Sequence, residues 1–414
     1  MTESATAKPA VGGMRFRNAA QYLLICGAVW LGWEVVKAPI VARVTPALAL
    51  RLAPFSPETL RRAAESEFQA NRVDNALRLA EASLSRAPFN ARAMRVRGLA
   101  EARLGDQRRA DEMLTLAGNW SLRDDPAHAW LFDHRLRRGN YASAFAHADT
   151  LVRRRTDLYP TVFQVFATAA AHDPRAMGAL VKLLSDEPPW RAAFLDFLYQ
   201  EEARAPVVMT LAVALRTTSA PFSQSERERL YDSWVRARRF AGLRPLRTYM
   251  GPDINGPPLQ NGDFETALDQ QVLPFGWNFN TGVGMTSSLV EDDNDADNMV
   301  YRLDYDGFSP GVFVTQLVLL EPGSYVLTGL VRAGRTGDTH MQWRVQCAET
   351  DINLPDGGDV ASPQDWTEFN IAFTVPSENC SAQWVRLAAD PGDVRTSITA
   401  SFDRIEIHRS QKSQ

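Results

Sequence analysis

The hydrophobic periodicity of this 414-residue chain changes once, close to residue 255, and the change limits the folds open to it. Before that point, apolar residues recur at the spacing of amphipathic helices. After it, short runs rich in Val, Ile, Phe, Trp and Thr alternate with polar residues, between turns such as Glu321-Pro322-Gly323. Because a period of 3.6 belongs to helices and a period of 2 to strands, the sequence predicts a multidomain chain, first α-helical and then antiparallel β.

Charge follows the same division. The whole chain has a formal charge of −4, but residues 1–250 carry a net +11 and residues 251–414 a net −15. A nucleic acid is negatively charged and would therefore have to bind to residues 1–250. Its arginines recur on helices whose other faces are Ala and Leu, without interleaved aromatics, which is typical of solvated helix faces. We predict no nucleic-acid partner.

Residues 19–36 are apolar except for one Gln and one Glu. As a helix they would span about 27 Å, close to the thickness of a bilayer's hydrocarbon core. Basic residues precede them, so residues 1–18 are predicted to be a cytoplasmic tail and the rest of the chain to lie outside. A buried helix and a cleaved signal peptide are the alternatives, but the nearest small-x-small site, at 47–49, is distant from the apolar run. We predict an uncleaved, single-pass signal anchor.

Residues 56–157 repeat with a period of 34. Ala76, Ala110 and Ala144 are each 34 residues apart, and Gly105 and Gly139 share that spacing. The alanines fit positions where two helices cross closely. The glycines fit the end of a first helix, where the chain needs a positive φ. Each unit is thus predicted to be a helix, a short turn and a second helix.

These units resemble the tetratricopeptide repeat family. Gly98 and Ala64 match its small residue in the first helix, and Pro88 matches its proline near the end of the unit. The family's Trp is absent, and Phe132 replaces the small residue in the third unit. The resemblance implies an α-helical solenoid that binds a protein partner along its concave surface.

Residues 158–250 are predicted to continue as helices without a clean period. Ser223 and Glu226 have the spacing of a capping box at a helix N-terminus. Further helix pairs here would close the last apolar face of the array, as solenoids require. Residues 251–258, rich in Pro and Gly, are predicted to be a linker.

Residues 259–409 contain six or more short strands, which predicts an antiparallel β-sandwich. They resemble jelly-roll carbohydrate-binding modules and the galactose-binding-like superfamily. The resemblance rests on an opening Asn-Gly-x-Phe-Glu, a Gly-Trp, a Pro-Gly-x-Tyr and an acidic residue in the last strand. The matching residues are Asn261, Gly262, Phe264, Glu265, Gly276, Trp277, Pro322, Gly323, Tyr325 and Asp403.

The resemblance implies sugar binding by aromatic faces with polar partners. Alternation places Trp343 on an apolar face, where it is predicted to be buried. Trp384 shares its face with Arg386 and is the better exposed candidate. Trp277 follows Pro274-Phe275-Gly276, a context that also favours a core contact. The candidate sugar-binding residues are Trp384, Arg386, Gln383, Trp277 and Gln342.

Cys347 and Cys380 both fall in predicted strands, 33 residues apart. Outside the cytoplasm two such thiols normally form a disulfide, and the alternative is a pair of buried free thiols. Cys26 lies in the apolar segment and cannot reach them.

The resemblance also implies a structural calcium, the one cofactor considered. Its predicted ligands are Asp263, Glu265 and Asp403, because the first and last strands of such folds run side by side. The acidic run 291–298 has oxygen ligands spaced like a calcium loop, but it lacks the Gly and Glu of an EF-hand. We therefore predict a flexible acidic loop there, with a calcium loop as the alternative.

The sequence contains no zinc-protease, C-x-x-C or P-loop motif, and its six histidines are scattered. We therefore predict a protein without enzymatic activity. The combination of anchor, repeats and sandwich is similar to accessory proteins of bacterial exopolysaccharide synthesis and export. It implies a scaffold on the periplasmic side of the inner membrane that contacts polysaccharide. The alternatives are a glycan hydrolase or lyase, and an assembly factor that binds only proteins.

Overall fold

The computed structural model describes residues 12–250, 256–333, 341–354, 358–359, 363–390 and 397–410. The chain divides into two compact units, Met1–Arg154 and Arg155–Gln414. The predicted linker, 251–258, lies within the second unit, and its residues 251–255 fall outside the described ranges. The second unit therefore contains helices as well as the β-sandwich.

The first unit begins with helix α1, Gly12–Arg43. Its segment Leu24–Arg43 is long and apolar enough to cross a membrane, with a mean hydropathy of 1.5, and none of it is buried. A membrane anchor and a signal sequence both have this length and composition. The Arg62 guanidinium donates hydrogen bonds to the carbonyl oxygens of Val41 (2.7 Å) and Val44 (2.9 Å), which caps the end of the helix.

Helix pairs fill the rest of the first unit. The first helices of three successive pairs begin at residues 57, 91 and 125, and the second helices at 73, 107 and 141. Both series have the 34-residue spacing seen in the sequence. The helices after α1 are α2 (Pro46–Leu52), α3 (Pro57–Gln69), α4 (Val73–Leu84), α5 (Ala91–Arg103), α6 (Gln107–Trp120), α7 (Asp125–Arg137) and α8 (Tyr141–Val152).

The repeated small residues have two different roles. Ala76, Ala110 and Ala144 are fully buried. A Cβ atom on Gly98 would lie only 2.7 Å from Cγ of Leu114, so α5 and α6 approach closely there. Gly105 and Gly139 have φ values of +95° and +70° and follow α5 and α7. They therefore end helices, as glycine at this position commonly does.

The helices of the second unit precede its strands. Its first helices are α9 (Tyr159–His172), α10 (Pro174–Ser185), α11 (Arg191–Tyr199), α12 (Ala205–Leu215), α13 (Gln224–Arg236) and α14 (Leu243–Met250). The predicted capping box at Ser223 and Glu226 is confirmed at the start of α13. Glu226 also binds the buried Arg191 in a bidentate pair, with both N···O distances 2.9 Å. This pair joins α11 to α13.

The predicted antiparallel β-sandwich is confirmed, and it consists of two five-stranded sheets. Sheet A has the order β1-β4-β9-β6-β7 and sheet B the order β2-β3-β10-β5-β8. The strands are β1 (Asn278–Phe279), β2 (Met285–Asp292), β3 (Asp295–Tyr305), β4 (Gly311–Val318), β5 (Gly323–Ala333), β6 (Met341–Cys347), β7 (Gly358–Asp359), β8 (Thr367–Val375), β9 (Gln383–Ala389) and β10 (Ile398–Arg409).

The core between the sheets consists largely of aromatic and β-branched side chains. Trp343 is completely buried there, as the alternation of β6 predicted, and it packs edge-on against Phe402. A disulfide joins Cys347, at the end of β6, to Cys380, so the predicted bond is confirmed. Cys380 lies in the turn before β9 and not within a strand.

The acidic run 291–298 is not a flexible loop. It forms the end of β2, a tight turn and the start of β3, with Asp292 paired to Asp295. Asp292 is only 7% exposed, accepts a hydrogen bond from Arg332 (2.5 Å) and accepts another from the Trp366 indole (3.2 Å). The prediction failed because cross-strand partners from distant segments stabilise these charges.

Candidate functional site

The outer face of sheet A carries a group of polar and aromatic side chains. Strand alternation sends Val385 and Leu387 into the core, so Trp384 and Arg386 point outward. Arg386 lies between Thr315 of β4 and Arg344 of β6, and Trp384 lies beside Gln346 of β6. The register of three strands therefore collects these groups into one patch.

Helix α13 lies over this patch and makes a cleft with it. Contacts within the second unit hold the helical segment in place: Gln224 donates to the carbonyl of Gln271 (2.7 Å), and Arg238 donates to the carbonyl of Ala348 (3.1 Å). The cleft has a volume of about 360 Å³. It is lined by Glu228, Arg229, Asp232, Val235, Leu273, Pro274, Asn278, Thr315 and Trp384.

The two arginines beside the cleft have different partners. Arg344 donates to the Asp390 carboxylate (2.6 Å) and to the Gln342 amide oxygen (3.2 Å). Arg386 donates through Nη1 to Oε1 of Gln346 (2.6 Å), and its guanidinium carbon lies 5.2 Å from the centre of the Trp384 ring. Burial lowers the pKa of Arg386, and the charge of Asp351 only partly opposes this shift.

Three of the five predicted sugar-binding residues share this face: Trp384, Arg386 and Gln342. Gln383 does not. As the neighbour of Trp384 in a strand it points the other way, is completely buried, and accepts a hydrogen bond from the backbone NH of Leu320 (2.8 Å). Trp277 is only 2% exposed and its indole donates to the Asn261 carbonyl (2.8 Å). The sugar-binding prediction is therefore wrong for Gln383 and Trp277, whose buried side chains have structural roles.

The sequence did not predict the positions of Arg344, Gln346 and Thr315 on this face, or that α13 forms one wall of the cleft. Alternation along "MQWRVQC" would have placed Arg344 and Gln346 on the face of Gln342. Thr315 follows a bulge in β4, where alternation is interrupted. No local pattern marks the residues of α13 that line the cleft.

The predicted calcium ligands come together only in part. Asp403 is 2% exposed and accepts hydrogen bonds from the Asn298 amide (3.3 Å) and the Arg404 backbone NH (2.7 Å). Burial raises the pKa of Asp403, and the nearby charge of Glu265 adds to the increase. Asp263 does not complete a group of three with them, and no such group of His, Cys, Asp and Glu occurs in the described ranges. Calcium binding stays a prediction that rests on Glu265 and Asp403.

No protein-family model matches this chain, and no curated protein matches it. Among solved structures, a family 16 carbohydrate-binding module is 21% identical, with a TM-score of 0.28, and matches 37% of this chain and 99% of its own. A structure titled "CBM4 structure and function" is 16% identical, with a TM-score of 0.29 and the same coverages. The N-terminal cellulose-binding domain of Cellulomonas fimi β-1,4-glucanase C is 13% identical, with a TM-score of 0.23, and matches 38% and 99%. At these identities the similarity concerns the fold alone.

Proposed function

We propose that this chain is a non-enzymatic scaffold anchored in the bacterial inner membrane, which binds polysaccharide in the cleft between sheet A and α13. The observation that carries the proposal is the partly exposed Trp384 at the wall of a cleft rich in hydrogen-bonding side chains. An indole face packs against the C–H surface of a sugar ring, while amides and hydroxyls such as those of Asn278 and Thr315 can bind sugar hydroxyls.

The size of the cleft limits what it can hold. Ligand pockets commonly measure about 300–1,000 Å³. At about 360 Å³, this cleft fits a short segment of a glycan better than a long chain laid across the whole sheet. A long chain fits less well because α13 covers part of the outer face of sheet A.

The repeats supply the second half of the proposal. Helix pairs that recur every 34 residues, with buried alanines at equivalent positions, support a tetratricopeptide-like array. Such arrays bind peptides or proteins along a continuous surface. We propose that this array holds a protein partner in exopolysaccharide synthesis or export. Tethering near the membrane would raise the local concentration, so weak glycan binding would suffice.

The apolar segment of α1 and the disulfide support a location outside the cytoplasm. A helix of this length can anchor the chain in the membrane, and structural disulfides persist in oxidising compartments such as the periplasm.

A second candidate is a glycan-active enzyme, because Glu228 and Asp232 both line the cleft. However, they lie one turn apart on α13 and therefore form the same wall. Glycoside hydrolysis commonly requires carboxyl groups that flank the scissile bond. Asp232 is also paired with Arg236 (2.6 Å). If the full chain releases reducing ends from a polysaccharide and Glu228→Gln abolishes the release, the enzymatic alternative is correct.

The binding proposal is tested by affinity electrophoresis of the full chain in detergent, in gels containing neutral or acidic polysaccharides. We expect at least one polymer to retard the protein. Trp384→Ala should weaken that retention about tenfold, because a stacked aromatic contributes about 1–3 kcal/mol. Trp120→Ala is the matched control, since Trp120 is an exposed tryptophan of the first unit. Unaltered mobility in every polymer would contradict the sugar-binding role.

A further inference from the structure

The segments that join successive helix pairs of the first unit carry exposed apolar side chains. Phe55 precedes α3, Phe89 precedes α5, and Trp120 and Leu122 lie at the junction of α6 and α7. Phe55 is 73% exposed and Phe89 71%, and the other two are also mostly exposed. Because the short connections make neighbouring helices antiparallel, these junctions all lie at the same edge of the array. We call it the aromatic edge.

Contacts between neighbouring junctions make the aromatic edge a continuous strip. The Arg86 guanidinium, at the end of the first helix pair, lies 5.6 Å from the centre of the Phe55 ring. Phe89 follows in the same junction, and its ring centre is 5.1 Å from that of Trp120. Isolated exposed apolar residues are normal on a protein surface, whereas a connected group of them marks an interaction site.

The position of α1 identifies the partner of this strip. Trp30 and Lys37 of α1 line the same open depression as Phe55. At about 1.5 Å per residue, Trp30 lies about 20 Å before the end of α1 at Arg43. The junction that carries Phe55 is therefore beside the apolar segment and not beyond its end. With that segment in the bilayer, as we propose, the aromatic edge begins at the membrane surface.

The charges on the aromatic edge also suit a lipid surface. Arg86 and Arg123 are exposed, and in the described part of the first unit neither has a carboxylate oxygen within 4.0 Å. Glu58, the exposed acid beside Phe55, is bound to Arg61. Aromatic rings settle at the headgroup level of membranes, and arginines are attracted to anionic headgroups there. The edge combines both types of side chain.

We propose that the aromatic edge docks on the outer surface of the bilayer, with Phe55, Phe89 and Trp120 among the lipid headgroups. This inference rests on the membrane anchor of the proposed function and adds a second, peripheral contact with lipid. An anchor alone keeps the array near the membrane, whereas docking also fixes its orientation. The opposite edge, with the turns at Gly105 and Gly139, then faces away from the bilayer.

A fluorescent label on each edge tests the contact in the full chain. In a Cys26→Ser background, Leu122→Cys places the label on the aromatic edge, and Leu104→Cys places it on the opposite edge, at the turn between α5 and α6. Both leucines are exposed. The other two cysteines form the disulfide and do not react with the label.

The labelled chain is reconstituted in vesicles of phosphatidylcholine and phosphatidylglycerol, with and without bromine on the acyl chains near the headgroups. Bromine quenches a fluorophore only on contact. We expect it to lower the emission from residue 122 about twofold, since interfacial side chains insert about 5–10 Å into the boundary between headgroups and acyl chains. The emission from residue 104 should not change, because the length of α5, about 20 Å, separates the two edges.

Variants assign the contact to the aromatic side chains. With the label at residue 122, Phe55→Asp combined with Phe89→Asp should abolish the quenching, because carboxylates are repelled by an anionic surface. Both phenylalanines are exposed, so the helices should be kept, which far-ultraviolet circular dichroism checks. Leu104→Asp is the matched control and should leave the quenching unchanged.

The docking and the anchor fail differently. If the chain floats with the vesicles in a density gradient but bromine does not quench residue 122, lipid docking is wrong and the anchor stands. The aromatic edge would then be left for a protein partner. Equal quenching at residues 122 and 104 would also overturn docking through this edge. A chain that does not float with the vesicles overturns the anchor of the proposed function as well.

Discussion

At the scale of single residues, Asp403 is a buried carboxyl group, and its burial raises its pKa. Its nearest cation, Nε of Arg404, is 3.9 Å away, and Glu265 adds a second negative charge. Compared with the unfolded chain, the folded state therefore shifts this group's equilibrium towards the protonated form. Folding stability contributed by this group is present at low pH and falls as the pH rises through the raised pKa.

The raised pKa of Asp403 leads to one prediction for Asp403→Asn without calcium and another with calcium. In EDTA, and at pH values above the range in which carboxyl groups titrate, the variant should be at least as stable as the parent. The reason is that the variant no longer buries a charged carboxylate. Added calcium should raise the thermal midpoint of the parent and not that of the variant. Asp263→Asn is the control and should keep the calcium response. An undiminished calcium response in Asp403→Asn would show that the ion binds elsewhere.

Residue-scale prediction from the sequence succeeded where alternation alone decides orientation. It placed Trp384 and Arg386 on one face and Trp343 in the core. It failed for Gln383, whose polarity suggested a ligand contact although its position in the strand directs it inward. The Gln383 side chain accepts a hydrogen bond from the buried backbone NH of Leu320. Leu320 is distant in sequence, so the residues around Gln383 give no sign of this contact.

At the scale of elements, two glycines inside helices make a matched pair. Gly98→Ala should lower the unfolding free energy by about 1–3 kcal/mol, because its Cβ would overlap the fully buried Leu114. Gly178→Ala should raise it by about 0.5–1 kcal/mol, since no atom lies within 4 Å and alanine favours helix. Denaturation followed by far-ultraviolet circular dichroism measures both. Equal effects of the two substitutions would contradict close packing between α5 and α6.

Elements with a strong period could be predicted from the sequence. The 34-residue repeat anticipated the spacing of the helices, and the period-2 runs anticipated the strands. The approach of α13 to sheet A could not be predicted. It depends on contacts such as Tyr231 with Phe275, whose ring centres are 5.0 Å apart, and these leave no periodic signal in either segment. The cleft was therefore missed although its tryptophan was found.

At the scale of the whole molecule, the redox state of Cys347 and Cys380 in cells tests the proposed location outside the cytoplasm. In a Cys26→Ser variant, Cys347 and Cys380 should resist alkylation in cells until a reductant is added. Reduction of the purified chain should lower the stability of the sandwich by about 3–4 kcal/mol, as expected for a loop of this length. Immediate alkylation of both thiols in intact cells would contradict a periplasmic location.

The position of α13 also decides how this chain can be divided. Cutting in the proline-rich segment before the strands would yield a sandwich that keeps the indole and both arginines but has lost Glu228, Asp232 and the rest of the opposite wall. Such a fragment would offer a flat platform in place of a two-walled groove, and its selectivity would differ from that of the parent. A fragment that is to keep both walls of the cleft must therefore include α13.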